Sequence, residues 1–360
     1  MLDEVWLRVR RTMLHRLSAV GFWPDSRAHA AFMEERLLLG NRLRSELLPS
    51  IVGPLDFAWL GSEAVFGASN DRFRGSTPFV LAFGHDLGHG LGRLLHDTEP
   101  PARAAAELCA VFNLGVSMFD LVCDHDAGLF SELGSAFDEA TLRMLLHDPH
   151  AVRDVERAAS RVGTGELRIL LKVILWIIGR LHALRAQRCD DGTWNTIVAL
   201  LVASHRAELR SAAAEWESSA QAFDASRDKS VLPFHIMHQM TRLCGEPRSP
   251  EAERMADQAV ERVASIFWTT DDLVDVVRDF QAATLNSILV RAGGVPDDGG
   301  RVLQSDVVMR RLLEGHYIEN AVDEIRRSLA SLTESLASSD SDESAQLPRV
   351  VSCHVRNWVD

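Results

Sequence analysis

Aspartates recur at helical spacing near residue 275 and could bind a divalent cation. Asp271, Asp275 and Asp279 follow one another at intervals of four residues, and Asp272 stands beside the first. On a helix this spacing places side chains on one face, where carboxylates withdrawn from water repel one another. Carboxylate oxygens of this kind are ligands that suit Mg²⁺. The pattern predicts that these four aspartates form a metal site.

A second polar face is predicted in the first half of the chain. Four polar residues follow at steps of four, three and four inside an otherwise apolar stretch, namely Asn113, Ser117, Asp120 and Asp124. A polar stripe on an apolar helix is expected to face a cavity. A bound cation would relieve the repulsion between Asp120 and Asp124 there. A solvated helix face is the alternative interpretation for either group of aspartates.

A diphosphate held through Mg²⁺ needs two acidic faces on separate helices. The residues around these aspartates also resemble the motifs of enzymes that bind a diphosphate in this way. The stretch from Phe267 to Asp275, FWTTDDLVD, resembles the second aspartate-rich motif of trans-prenyl diphosphate synthases, FQxxDDxxD, with Trp268 in place of Gln. The same region resembles the (N/D)DxxSxxxE metal triad of class I terpene synthases. That resemblance places Asp271, Asp275 and Asp279 at the ligand positions.

The first acidic face resembles the first motif of the same enzymes, DDxxD. The match is the segment from Phe119 to Asp124, with Leu121 at the second aspartate position. The chain is therefore similar to the class I isoprenoid synthase superfamily. This resemblance implies an all-α helical bundle with a central active-site cavity, Mg²⁺ as the cofactor and an allylic prenyl diphosphate as the substrate.

Basic and aromatic residues extend the resemblance. Arg227 and Lys229 lie in a segment similar to the Lys-Thr segment of prenyl synthases, and the resemblance implies that both bind the substrate diphosphate. Asn113 and Ser117 are predicted to contact the substrate from the other face. Trp268 stands beside the metal-binding aspartates, where its ring could stabilise developing positive charge by about 0.5–2 kcal/mol. Trp268 therefore joins Asp120 and Asp124 as a predicted catalytic residue.

Chain elongation needs a second anion site for isopentenyl diphosphate, built from basic side chains. The family supplies it from a GKxxRP segment and an Arg-Arg pair after the first motif, and neither is present here. The resemblance thus favours a terpene synthase, or cyclase, that ionises one allylic diphosphate. The alternatives are a trans-prenyl diphosphate synthase and, from another class, a non-catalytic helical partner subunit.

Histidines suggest a different hypothesis, a zinc metallohydrolase. His85 and His89 are four residues apart, and His96 follows. A catalytic zinc site also needs a third ligand and a general base, and the HExxH pattern is absent. Helix packing is the favoured interpretation of these histidines. A Ser-His-Asp hydrolase has no support, because the chain has no GxSxG elbow.

The elements that must carry these residues are predicted to be helices. The chain has 360 residues, of which 46% are hydrophobic, and a single tyrosine, and alternating β-branched patterns are rare. One domain is predicted over 1–337, then a Ser/Asp-rich disordered segment over 338–346 and a tail over 347–360. Long helices are expected over 102–124, 165–188, 251–291 and 301–337, and an irregular helix over 79–96 because of its glycines.

Charge and cysteine usage limit the partners and the compartment. The net charge of −13 argues against nucleic acid as the main partner, since phosphate contacts need basic surface. The five cysteines are widely spaced without a CxxC pair, which fits a reduced cytoplasm. The most apolar run, 169–178, is too short to span a membrane. A homodimer is implied only by the resembling families.

Overall fold

Every regular element in the described part of the chain is an α-helix. The computed structural model describes residues 1–21, 23–60, 70–125, 127–159, 165–213, 219–282, 284–293, 306–337 and 346–360. No strand occurs in these ranges. The predicted all-α class is confirmed, while the isoprenoid-synthase arrangement and its central cavity stay predictions.

The helices of these ranges are numbered in chain order. They are α1 (Leu2–Leu17), α2 (Ser26–Val52), α3 (Pro54–Leu60), α4 (Asn70–Leu95), α5 (Glu99–His125), α6 (Ala127–Ala136), α7 (Glu139–His147), α8 (Ala151–Ala159), α9 (Gly165–Arg188), α10 (Asp191–Ala213), α11 (Ser219–Cys244), α12 (Pro250–Val274), α13 (Val276–Ala282), α14 (Ser287–Arg291), α15 (Asp306–Glu314), α16 (Tyr317–Ala337) and α17 (Gln346–Val359).

The chain divides into two compact units, each assembled from separate stretches of sequence. The first unit comprises 1–30, 203–235 and 254–360, and the second comprises 31–202 and 236–253. Helices α2, α10, α11 and α12 contribute residues to both units. The prediction of one domain over 1–337 stays a prediction.

Close packing of α4 along α5 organises the second unit. Gly84, Gly88 and Gly92 recur every four residues on α4 and face α5. A Cβ atom at Gly88 would lie 2.6 Å from the carbonyl oxygen of Ala105. The segment 79–95 is thus part of a continuous helix, not the irregular helix expected over 79–96. Its glycines allow close contact with α5 and do not interrupt the helix.

Helix α5 is both long and apolar. Its segment Glu99–Cys123 is long and apolar enough to cross a membrane, and 67% of the most apolar window is buried inside the protein. Packing against α4 and α9 accounts for that composition without a lipid phase. The absence of a membrane span stays a prediction.

A buried carboxylate joins three helices of the second unit. Asp56 of α3 accepts hydrogen bonds from Arg168 at 2.8 Å and from Lys172 at 2.7 Å, both on α9. Lys172 also donates to the carbonyl of Val52, the last residue of α2, at 2.8 Å. Burial opposes ionisation, but these hydrogen bonds hold the pKa of Asp56 below its ordinary value. Lys172 therefore has a structural role in fixing the α2–α3 corner.

In the first unit, α1 packs against α13, α15, α16 and α17. Arg8 pairs with Glu319 at 2.6 Å and donates to the carbonyls of Leu313 and Gly315. Cationic donors at these carbonyls satisfy groups that the end of α15 leaves without helical partners. The stretch 301–337, expected as one helix, contains two described helices that end and begin around Gly315.

The C-terminal segment is a helix of the first unit. The predicted tail over 347–360 belongs to α17, whose buried residues include Val351 and Val355. The ring of Trp358 meets Phe267 of α12 edge to face, with 5.3 Å between centroids. Helix α17 thus contacts α12 one turn before the predicted metal-binding aspartates. The Ser/Asp-rich residues 338–345 lie outside the described residues, and Gln346 begins α17.

Candidate functional site

The predicted acidic face spans the end of α12 and the start of α13. Asp275 stands between the two helices. Its amide donates to the carbonyl of Asp271 at 2.9 Å, and the amide of Asp279 donates to the carbonyl of Asp275 at 2.8 Å. The helical turns therefore continue through the junction. The stretch 251–291, expected as one helix, is three successive helices, but the four-residue spacing of the aspartates survives.

The four carboxylates differ in their exposure to solvent. Asp272 is 5% exposed and Asp279 is 8% exposed, whereas Asp271 and Asp275 are partly exposed. A buried carboxylate needs hydrogen bonds or a counter-ion to remain in a folded protein. The predicted single face is therefore divided into an inner pair and an outer pair.

Asp272 is held by the start of α14. The amide of Ser287 donates to its carboxylate at 3.1 Å, and the Ser287 hydroxyl donates to the same oxygen. Burial raises the pKa of Asp272 to about 7, although the hydrogen bonds from Ser287 work in the other direction. This carboxyl therefore has a polar partner within the protein.

Asp279 is hydrogen-bonded to Asn286, the residue before Ser287. The side-chain amide of Asn286 donates to the Asp279 carboxylate at 2.9 Å and to the backbone carbonyl of Asp272 at 2.7 Å. Burial raises the pKa of Asp279 to about 6, against the effect of the Asn286 hydrogen bond. Sequence reasoning missed Asn286 and Ser287, although an Asn-Ser pair before a short apolar run is a helix N-cap signal.

Asp275 has a basic neighbour on the next turn. The guanidinium of Arg278 pairs with the Asp275 carboxylate, and its Nε atom lies 3.6 Å from Asp279. The Arg278 side chain is 48% exposed, so this pair stands at the protein surface. Arg278 reduces the repulsion between these two carboxylates and was not predicted from the sequence.

Trp268, a predicted catalytic residue, lies in a cluster of rings one turn before the aspartates. Its ring packs edge to face against Phe223 of α11, with 5.3 Å between centroids. The Arg291 guanidinium lies over the Phe223 ring, 5.5 Å from its centroid. The indole nitrogen of Trp268 is buried and has no hydrogen-bond partner among the described residues. Trp268 is thus placed in an aromatic and cationic setting beside Asp271 and Asp272.

The predicted basic segment lies on α11, which packs against α12. Phe223 contacts Trp268 and Phe234 stacks on Phe267 at 5.6 Å, so the stretch of α11 between them borders the end of α12. Arg227 in this stretch is exposed. Lys229 lies 3.4 Å from Glu208 of α10. The structure therefore brings the basic helix to the aspartate-bearing helix, with Lys229 paired to a carboxylate of α10.

The other predicted face lies on α5, in the second unit. The side-chain amide of Asn113 donates to the carbonyl of Val80 on α4 at 2.8 Å, so Asn113 joins two helices. Ser117 and Asp120 are partly exposed. Asp124 lies in α5, and its side chain is outside the described residues. The predicted clamp between Asp120 and the aspartates of α12 stays a prediction.

One cavity in the second unit borders α5 on its apolar side. The cavity is small, because the space that the centre of a water molecule can occupy in it is about 10 Å³, room for about one water molecule. The lining residues are apolar apart from two, and they are Arg44, Leu48, Val52, Leu60, Thr77, Leu114, Met118, Ile169 and Val173. Leu114 and Met118 belong to α5 but lie on a different face from Asn113 and Ser117. The polar stripe therefore does not line this cavity.

Potential metal ligands do not converge in the described ranges. No group of three or more His, Cys, Asp or Glu side chains there is arranged to hold a metal ion. At the α12–α13 junction the reason is that Asp272 and Asp279 are turned to Ser287 and Asn286. His85 and His89 stack their rings 6.2 Å apart instead of converging on a zinc site.

Comparison of the chain with protein-family models, with curated proteins and with solved structures gave no match. The resemblance to class I isoprenoid synthases is carried by the two aspartate-rich segments and the basic segment of α11.

Proposed function

We propose that this protein is a Mg²⁺-dependent class I terpene synthase that ionises one allylic prenyl diphosphate and releases diphosphate. One observation carries the proposal. Asp271 and Asp275 are partly exposed on consecutive turns, directly after a ring cluster in which Phe267 and Trp268 are buried and Phe223 is partly exposed. An allylic diphosphate is divided in the same way. Its diphosphate head would bind at the aspartates through Mg²⁺, and its apolar chain, which becomes cationic, would contact the rings.

The carboxylates fit the cofactor that the resemblance implies. Mg²⁺ is usually bound in proteins by one or two carboxylates and completes its octahedron with water and substrate phosphate oxygens. Asp271 and Asp275 meet that requirement without a third protein ligand, and Asp120 and Asp124 are the second proposed pair. Bound Mg²⁺ supplies charge neutralisation for the departing diphosphate.

The protein's own groups would act on the two ends of the substrate. In the proposed reaction the allylic carbon–oxygen bond breaks, the electron pair leaves with the diphosphate, and the carbon chain closes and then gives a proton to the released diphosphate. Arg227 and Lys229 are the proposed cationic partners of the diphosphate. Lys229 would exchange its contact with Glu208 for a phosphate oxygen. Trp268 would face the allylic cation, an interaction worth about 0.5–2 kcal/mol.

Product analysis tests the proposal directly. The purified protein is incubated with Mg²⁺ and geranyl, farnesyl or geranylgeranyl diphosphate, each alone and each with isopentenyl diphosphate. A cyclic or linear hydrocarbon from a single substrate supports the terpene synthase. A longer prenyl diphosphate would identify a trans-prenyl diphosphate synthase instead. Absence of diphosphate release with every combination would refute both enzymes.

A second candidate, a non-catalytic helical partner subunit, is favoured by a specific observation. Asp272 and Asp279 already have hydrogen-bond partners in the protein, and the described residues contain no group of three metal ligands. Such a subunit would bind no Mg²⁺ at the α12–α13 junction. Calorimetric titration of the protein with Mg²⁺ and inorganic diphosphate separates the candidates, because only the enzyme is expected to show a saturable heat change beyond that of a titration without protein.

A further inference from the structure

The side chain of Asn286 makes four hydrogen bonds at the α12–α13 junction. It is 0% exposed. Its amide nitrogen donates to the Asp272 carbonyl at 2.7 Å and to the Asp279 carboxylate at 2.9 Å. Its amide oxygen accepts from the backbone of Ile288 at 3.0 Å and of Leu289 at 3.3 Å. One side chain thus connects α12, α13 and α14.

Helix geometry explains why α14 can hold two of the four aspartates. At 3.6 residues per turn, Asp272 and Asp279 fall within about 20° of each other around the helix axis. Asp271 and Asp275 lie about 40° apart and on one side of that pair. Asn286 and Ser287 approach from the side of Asp272 and Asp279, which are the buried carboxylates.

We infer that Asn286 is a positioning residue that, with Ser287, turns Asp272 and Asp279 inward and leaves Asp271 and Asp275 as the metal-binding pair. The inference rests on the proposed function for the identity of the ligand. It assigns different roles to carboxylates that sequence spacing makes equivalent. Asp272 and Asp279 stabilise the α12–α13 junction through hydrogen bonds. Asp271 and Asp275 bind the cation, and the junction fixes the distance between them.

Isosteric substitutions separate the two roles. Asp272→Asn and Asp279→Asn keep an oxygen that can accept from Ser287 and Asn286 and remove the charge. The full-length protein is titrated with Mg²⁺ and inorganic diphosphate. We expect both variants to bind Mg²⁺ within about threefold of the unaltered protein, whereas Asp271→Asn and Asp275→Asn weaken binding at least about tenfold. Equal losses in Asp272→Asn and Asp275→Asn would overturn the division into two pairs.

A substitution at Asn286 tests whether its hydrogen bonds position the aspartates. Asn286→Ser keeps a hydroxyl that can cap α14 but lacks the amide group that reaches Asp279. We expect faster hydrogen exchange at the amides of 271–282 in metal-free protein and Mg²⁺ binding weakened about tenfold or more. Asn320→Ser, at an exposed position of α16, is the control. Rescue of slow exchange in Asn286→Gln would further support an amide-specific role.

The outcomes distinguish the inference from the function on which it rests. If the unaltered protein binds no Mg²⁺ and releases no diphosphate, the proposed function fails and the metal-binding role of the outer pair fails with it. If the unaltered protein binds Mg²⁺ but Asn286→Ser leaves hydrogen exchange and metal affinity unchanged, the positioning role of Asn286 is wrong and the proposed function stands.

Discussion

The guanidinium of Arg278 is paired with the carboxylate of Asp275, the residue that lies between α12 and α13. A cation that binds Asp275 must therefore compete with a positive charge supplied by the protein. The second contact of Arg278, 3.6 Å from Asp279, links the outer carboxylates to the inner ones. In the absence of metal, Arg278 acts as the counter-ion of the junction.

Removal of that competing charge is expected to strengthen metal binding. We predict that Arg278→Gln lowers the Mg²⁺ concentration at half-saturation by up to about fivefold, because an exposed ion pair is worth about 0.2–1 kcal/mol. Mg²⁺ titration at constant ionic strength provides the measurement. The matched control is Arg326→Gln, since Arg326 is 49% exposed and pairs with Asp323 three residues away. Weaker Mg²⁺ binding in Arg278→Gln would contradict this role.

Loss of the outer carboxylate should abolish turnover without unfolding the protein. Asp275 is partly exposed, so Asp275→Ala removes a metal ligand and leaves no buried charge unpaired. We expect diphosphate release to fall at least about a hundredfold, with an unchanged circular dichroism spectrum. Asp97→Ala, an exposed aspartate outside the helices, should retain full activity. Normal turnover by Asp275→Ala would remove this residue from the metal site.

The buried inner pair predicts a decrease in stability as pH rises. The pKa values of about 7 for Asp272 and about 6 for Asp279 lie above the ordinary value of 3.8, so the folded chain holds protons that the unfolded chain has lost. Their stabilising effect is complete below about pH 4, declines as pH rises above that, and is fully lost once pH has passed through 6 to 7. The slope reaches about 1.4 kcal/mol per pH unit for each group.

Urea unfolding in metal-free buffer from pH 4.5 to pH 8 measures this dependence, and Asp272→Asn isolates one group. The difference in unfolding free energy between the unaltered protein and Asp272→Asn should shift in favour of the variant as pH rises, because the amide does not ionise. A difference that stays constant over this range would show that Asp272 titrates alike in both states.

Local spacing allowed the sequence to predict the acidic helix face but not its partners. The four-residue steps from Asp271 to Asp279 depend only on helical geometry, and the backbone preserves them through the junction. The contacts of Asn286 and Ser287 depend on the chain turning back towards α12 after α13. Such a turn is a tertiary event that no periodic pattern encodes.

The same limit applies to the first acidic face and to the glycines. The position of Asn113 among apolar neighbours predicts substrate contact, and that stays a prediction, but the neighbours do not indicate its hydrogen bond to a carbonyl of α4. The glycines of α4 looked like helix breakers because glycine has low helix propensity. Their advantage, close approach to α5, exists only after two helices meet. Composition alone sufficed for the all-α class because it does not depend on such pairings.

Close packing between α4 and α5 leads to a final prediction, on stability. Gly88→Ala would place a methyl group 2.6 Å from the Ala105 carbonyl oxygen and 2.7 Å from the Cys109 side chain. Because the first of these atoms is backbone, the helices must separate, and we expect a loss of about 1–3 kcal/mol in unfolding free energy.

The matched control is Gly179→Ala in α9, where no atom lies within 4 Å of the added methyl group. That substitution should stabilise the protein by about 0.5–1 kcal/mol through helix propensity alone. Urea unfolding of both variants is the measurement, and equal effects would mean that α4 and α5 are not held in close contact.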